Sequence, residues 1–105
     1  MSKIAVTFTG SVFSLHVWLD EKEVRLVFDG QKWSGTTDVE PWPVPLRMRF
    51  TAVPSTDWAI VAKRDGKKVL DESGTSTQQV VEKVWLLQDG GARLIFDSER
   101  GGPLA

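Results

Sequence analysis

The chain has 105 residues, too few to divide into units that would each bury a core, and is read as a single domain spanning 1–105. Thirteen basic residues against fourteen acidic ones give a net charge of −1, without the cationic surplus that phosphate-dominated nucleic-acid binding draws on. Cysteine is absent, so disulfide and thiol chemistry are excluded. No apolar run approaches the roughly 20 residues of a spanning helix, and the N-terminus has no signal-like apolar stretch. The expectation is a cytoplasmic protein that engages neither membrane nor nucleic acid.

Lys3 to Thr9 alternates strictly, with Ile4, Val6 and Phe8 on one face, which is the period of a strand. Gly10-Ser11 suits a two-residue turn, and Val12 to Leu19 alternates again. Pairing Thr9 with Val12 sets Phe8 against Phe13, Val6 against Leu15 and Ile4 against Val17. Pairing Leu19 with Val24 across Asp20–Glu23 sets Leu15 against Phe28. Residues 3–29 are therefore expected to form a three-stranded meander with one continuous apolar face. On its outer face Trp18 falls between Lys3 and Arg25.

Asp29-Gly30 signals a turn, and Gln31 to Thr37 reads as a short strand carrying Trp33. Pro41-Trp42-Pro43-Val44-Pro45 cannot lie inside a regular sheet, because each proline lacks a donor and extends the residue before it. It reads as a crossover between two sheets. Leu46 to Val53 alternates. Trp58–Lys63 and Lys68–Glu72 flank Arg64-Asp65-Gly66-Lys67, a strong hairpin signal, with Trp58 on the core side. Val80–Gln88 fits strand or helix, and its β-branched content selects strand. Asp89-Gly90-Gly91 turns into Ala92–Asp97, and residues 100–105 read as a loose tail. The pattern as a whole predicts an all-β, two-sheet antiparallel sandwich of about eight short strands with no substantial helix.

Val17-Trp18-Leu19 followed by Arg25-Leu26-Val27-Phe28-Asp29 resembles Val84-Trp85-Leu86 followed by Arg93-Leu94-Ile95-Phe96-Asp97. If Gln88-Asp89-Gly90 is a three-residue loop with Gly90 left-handed, Trp85 lies opposite Arg93 as Trp18 lies opposite Arg25. Two such pairs make either cationic–aromatic platforms for a ligand or tryptophans sheltered under Arg and Lys stems. Sheltering is the better supported of the two.

Catalytic side chains are scarce. The one histidine, His16, has no carboxylate directly opposite in this register, and no cofactor or metal set is evident. The tip Lys63-Arg64-Asp65-Gly66-Lys67-Lys68 gathers four cations that could meet phosphate or an acidic partner, but an ordinary charged turn that guards against edge-to-edge pairing is the favoured reading. Five tryptophans without one tyrosine call for an explanation. Trp33 and Trp42 lie at loops, and Trp42, stiffened by the prolines around it, either presents itself to a ligand or plugs an open end of the sandwich, the plug being favoured. The expected function is a non-catalytic module binding a protein or glycan through Trp33, Trp42, Trp18 and Arg25, with no enzyme activity. The alternatives are an assembly subunit forming homo-oligomers through strand edges and aromatic patches, and a small-molecule barrel with Trp58 and Trp85 lining a cavity.

Overall fold

The computed structural model describes residues 2–100 and the backbone of 102–103. Its strands are β1 Ser2–Gly10, β2 Ser14–Leu19, β3 Lys22–Glu23, β4 Val27–Phe28, β5 Trp33–Val39, β6 Val44–Thr51, β7 Asp57–Arg64, β8 Lys67–Thr75, β9 Val80–Gln88, β10 Gly91–Asp97 and β11 Gly102–Pro103. A single 3-10 turn covers Ser98–Arg100. Eight strands run six residues or longer, while β3, β4 and β11 are two-residue edge pieces. One sheet has the order β4-β5-β1-β7-β8 and the other β11-β10-β9-β6-β2-β3, with every pairing antiparallel. The fold is the expected sandwich.

Its N-terminal part is not a meander. β1 pairs with β5 and β7, and β2 pairs with β6 in the opposite sheet. The alternation had identified the inward faces of both strands, since Ile4, Val6, Phe8, Val17 and Leu19 are all buried. Two apolar faces can hide side by side in one sheet or face to face across a core, and alternation is the same in both cases. Ser11–Phe13 carries the chain between sheets, with the Phe13 amide donating to the Thr51 carbonyl and the Phe13 ring exposed rather than set against Phe8.

β2 and β3 do form a hairpin, but in a register two residues tighter than expected. Leu19 faces Lys22 and Trp18 faces Glu23. The turn is Asp20-Glu21 alone, with φ of 52° and 66°. Such a turn favours Asn-Gly or Asp-Gly, so Asp-Glu gives no sequence signal for it. Trp18 therefore lies between Arg47 and Glu23, and neither Lys3 nor Arg25 is beside it.

The last hairpin departs from its apparent copy. Gln88 pairs with Gly91 across Asp89-Gly90, so the loop has two residues, although Gly90 is left-handed as expected (φ 87°). The extra residue is taken up by an irregularity between Leu94 and Phe96. Trp85 consequently faces Leu94 and Leu46 and is 2% exposed, while Arg93 faces Leu86. Trp18 points outward and Trp85 inward, so the two resembling segments are not structural equivalents.

The other elements follow the sequence closely. β7 and β8 meet at Asp65-Gly66 (φ 50° and 89°), as the hairpin signal required. Residues 41–43 cross from the first sheet to the second, with a cis Trp42–Pro43 bond, but Val44 and Pro45, expected in the crossover, already pair with Leu87 and Leu86 at the start of β6, where a proline is tolerated. β9 is a strand. The expected loose tail begins instead with the 3-10 turn and a short pairing of Gly102-Pro103 with Phe96-Asp97; the remainder lies outside the described residues.

Between the sheets, Phe8 meets Phe50 with ring centroids 5.6 Å apart, and Phe50 meets Trp58 at 6.0 Å. Met48, Leu46, Ile60 and Leu87 are fully buried around them. Each such side chain contributes roughly 1.5–3 kcal/mol of transfer free energy. Trp58 and Trp85 belong to this packed core rather than to the wall of a ligand cavity. Trp58 lies over Gly74, its cross-strand partner, where a side chain would press on the indole. No helix among the described residues is long and apolar enough to cross a membrane.

Candidate functional site

The site is organised by the short crossover from β3 to β4, which leaves the edge of one sheet and joins the edge of the other. Alternation continues through it: Val24 is buried, Arg25 exposed and Leu26 half-buried. The Val24 amide donates to the Val17 carbonyl, holding the crossover to β2. On its other side the crossover presses on β5 at Gly35, where a Cβ would overlap the Arg25 carbonyl oxygen.

This folding leaves a half-open groove of about 380 Å³ lined by Leu15, His16, Glu23, Val24, Arg25, Leu26 and Trp33. Trp33 begins β5, paired across to Phe8 on one side and Phe28 on the other. Its ring lies 4.9 Å from that of Phe28. On the far wall, His16 Nδ1 and Glu23 Oε2 are 2.8 Å apart. The tighter β2–β3 register thus gives His16 the carboxylate partner that the expected register lacked, and such a partner fixes imidazole tautomer and orientation. His16 also stacks on Trp18, with centroids 5.6 Å apart and an interplanar angle of 22°.

The groove continues onto the outer face of the six-stranded sheet. A cross-strand row runs Phe96, Val84, Arg47, Trp18, Glu23, all pointing outward. The Arg47 guanidinium sits 4.1 Å from the Trp18 ring, so Trp18 is sheltered by a cation, as expected, although by Arg47.

Two of the four sequence-selected residues, Trp33 and Arg25, therefore line one groove, and Trp18 abuts it through His16. Trp42 does not join them. Trp33 opens β5 and Trp42 follows its far end, so roughly 20 Å of strand separates them at about 3.3 Å per residue. Trp42 caps that end of the sandwich: Arg64 covers its ring at 4.0 Å, and its Nε1 donates to Asp89 Oδ1 at 3.1 Å. Arg64 is itself held by Asp89 at 3.3 Å and Ser2 Oγ at 2.9 Å. Beside this cap the β7–β8 tip and the Asp89-Gly90 turn frame an open cleft of about 500 Å³. Two of the tip cations are matched there, Arg64 by Asp89 and Lys68 by Asp71.

No protein-family model, curated protein or solved structure matches this chain. Its site is read from chemistry alone. No group of three or more His, Cys, Asp or Glu side chains placed to hold a metal occurs among the described residues.

Sequence reasoning missed the exposed apolar edge strand beside the groove. The meander places Phe28 inward, yet Phe28 and Val27 stand 49% and 60% exposed on β4. The signal that identifies them is their closeness to Asp29-Gly30. Asp29 Oδ1 accepts from the amides of Gln31 and Lys32, both at 2.9 Å, which closes the turn and leaves only two residues for β4. Those two bonds, the Lys32 amide first, also hold the Asp29 carboxyl below the usual carboxylate range.

Proposed function

We propose that the chain is a non-catalytic binding module that recognises a partner protein through the Trp33 groove. One observation carries this reading: Trp33, Arg25 and the His16–Glu23 pair share a groove, and beside it the Trp33 ring lies 4.9 Å from the ring of the solvent-exposed Phe28. Tryptophan and arginine are the side chains most often dominating protein interfaces, and exposed apolar groups beside them supply area to bury. The lack of cysteine supports placing the module in the cytoplasm.

A glycan is the second ligand class that this chemistry suits, because an aromatic ring beside an arginine and an oriented His–Glu pair can both stack and hydrogen-bond. Self-assembly is a separate reading, supported by the β8 edge, where Asp71–Thr75 are all exposed.

The test uses Arg25→Glu and Phe28→Asp, exposed positions whose folding is checked by circular dichroism. Partners captured from the native host by the natural protein should be lost with both variants. Binding to a glycan panel that Arg25→Glu abolishes would select the second reading, and concentration-dependent sizing would select the third. Partners retained by both variants would remove the groove as the site.

A further inference from the structure

Away from the groove, toward the end of the sandwich remote from Trp42, lies a buried set of charges that the binding reading does not use. Lys83 and Asp97 are cross-strand partners on β9 and β10, and both side chains point between the sheets. Lys83 Nζ is 2.7 Å from Asp97 Oδ1 and 3.1 Å from Glu99 Oε1, and the three side chains are 9%, 4% and 12% exposed. The ammonium also lies 5.7 Å from the Trp58 ring centroid. Glu99 is fixed in place by the amide and hydroxyl of Thr77, at 2.6 and 2.7 Å.

We propose that Lys83 and Asp97 condense into an intramolecular amide, with Glu99 relaying the protons. An amine and a carboxyl held this way react as if at very high concentration, on the order of 10⁵ M or more for well-oriented groups. Burial adds a driving force, because an ion pair between the sheets carries a desolvation penalty that a neutral amide does not.

The steps balance without any co-reactant. The Glu99 carboxylate takes one proton from the Lys83 ammonium and passes it to an Asp97 oxygen, so that a neutral amine faces a neutral carboxyl. Nζ adds to Cγ of Asp97, and the negative charge gathering on the unprotonated oxygen meets the Glu99 amide, 3.0 Å from Oδ1, or Arg100 Nε, 3.6 Å from Oδ2. A second proton then passes from nitrogen to the hydroxyl oxygen as its bond to carbon breaks, and that oxygen leaves as water. Ammonium plus carboxylate has become amide plus water, and Glu99 is regenerated. This is a single event within one molecule, so it is compatible with a module that turns over no substrate.

Intact-mass spectrometry of the folded protein tests the proposal. The natural chain should weigh one water less than its sequence, and its digest should contain a branched peptide joining Lys83 to Asp97. Glu99→Gln, checked for folding by circular dichroism, should keep its full mass. Asp97→Asn should reach the same final mass as the natural chain, because asparagine releases ammonia where aspartate releases water. Lys83→Arg keeps a cation but should not lose water; it controls for cyclic imides at Asp29-Gly30, Asp65-Gly66 and Asp89-Gly90. A folded natural protein that stays at full mass on prolonged incubation overturns the proposal, as does a water loss that survives in Lys83→Arg.

Discussion

Gly35→Ala probes the contact on which the groove is built. A Cβ at position 35 would overlap the Arg25 carbonyl oxygen, and would lie 3.1 Å from its carbonyl carbon and 3.3 Å from Leu26 Cδ2. Two of these three atoms are main chain, so no side-chain rotation relieves the overlap and the crossover itself must move. Overpacking of this kind costs about 1–3 kcal/mol. Against it, alanine stiffens the unfolded chain and returns about 0.4–1 kcal/mol. The net expectation is a loss of about 1–2 kcal/mol, which for a domain of this size lowers the melting temperature by roughly 5–15 °C. Thermal and urea unfolding followed by circular dichroism measure both quantities. Arg25, Leu26 and Trp33 are groove walls, so the same variant should weaken partner capture under conditions where it remains folded. A variant that melts at or above the natural temperature would show that the crossover is not pressed against β5 and would refute the reasoning.

Two further outcomes are expected. Glu21→Gly should raise the urea midpoint: a non-glycine residue at φ 66° costs about 1–2 kcal/mol, of which glycine's greater unfolded-state freedom takes back up to about 1 kcal/mol. An unchanged or lower midpoint would mean that Asp20-Glu21 is not strained. For Glu99, burial pushes the carboxyl pKa up, but the Thr77 amide and hydroxyl, joined by the Lys83 ammonium as long as it is uncondensed, outweigh it and hold the group below its ordinary 4.5. A depressed folded pKa contributes stability above the unfolded value and loses it as pH falls through the folded one. Unfolding free energy should therefore decline on acidification below pH 4.5 through this group, and Glu99→Gln should flatten that part of the profile; coincident profiles would refute the assignment.

The candidate site was half legible in the sequence. Trp18 stood out as a tryptophan on the polar outer face of its strand, and Trp33 as one lying at a loop. Arg25 was selected for the wrong neighbour: a two-residue shift in the β2–β3 register exchanged it for Glu23 beside Trp18, and Arg25 lines the Trp33 groove instead. Phe28 went unrecognised because an apolar residue in an alternating run reads as inward, whether its strand is central or a two-residue edge. Trp42 looked presentable between prolines. Arg64 and Asp89, 22 and 47 positions further along the chain, turned it into a cap.

By itself the sequence determined which residues alternate, which turns close locally and hence that two apolar-faced sheets must pack. Asp65-Gly66, a crossover at 41–43 and the inward faces of β1, β6 and β7 were settled by rules acting over a few residues, whereas the inward face of β9, with Trp85 buried, was not. Only the tertiary structure decided which strand lies beside which. Period two is blind to whether two apolar faces are neighbours or opposites, so β1 and β2 could be parted into different sheets with the alternation of Ile4, Val6, Phe8, Val17 and Leu19 kept inward in either arrangement. That partition takes the chain across the sandwich at 24–26 and makes the groove. It also sets Lys83, Asp97 and Glu99 against Trp58 of the facing sheet.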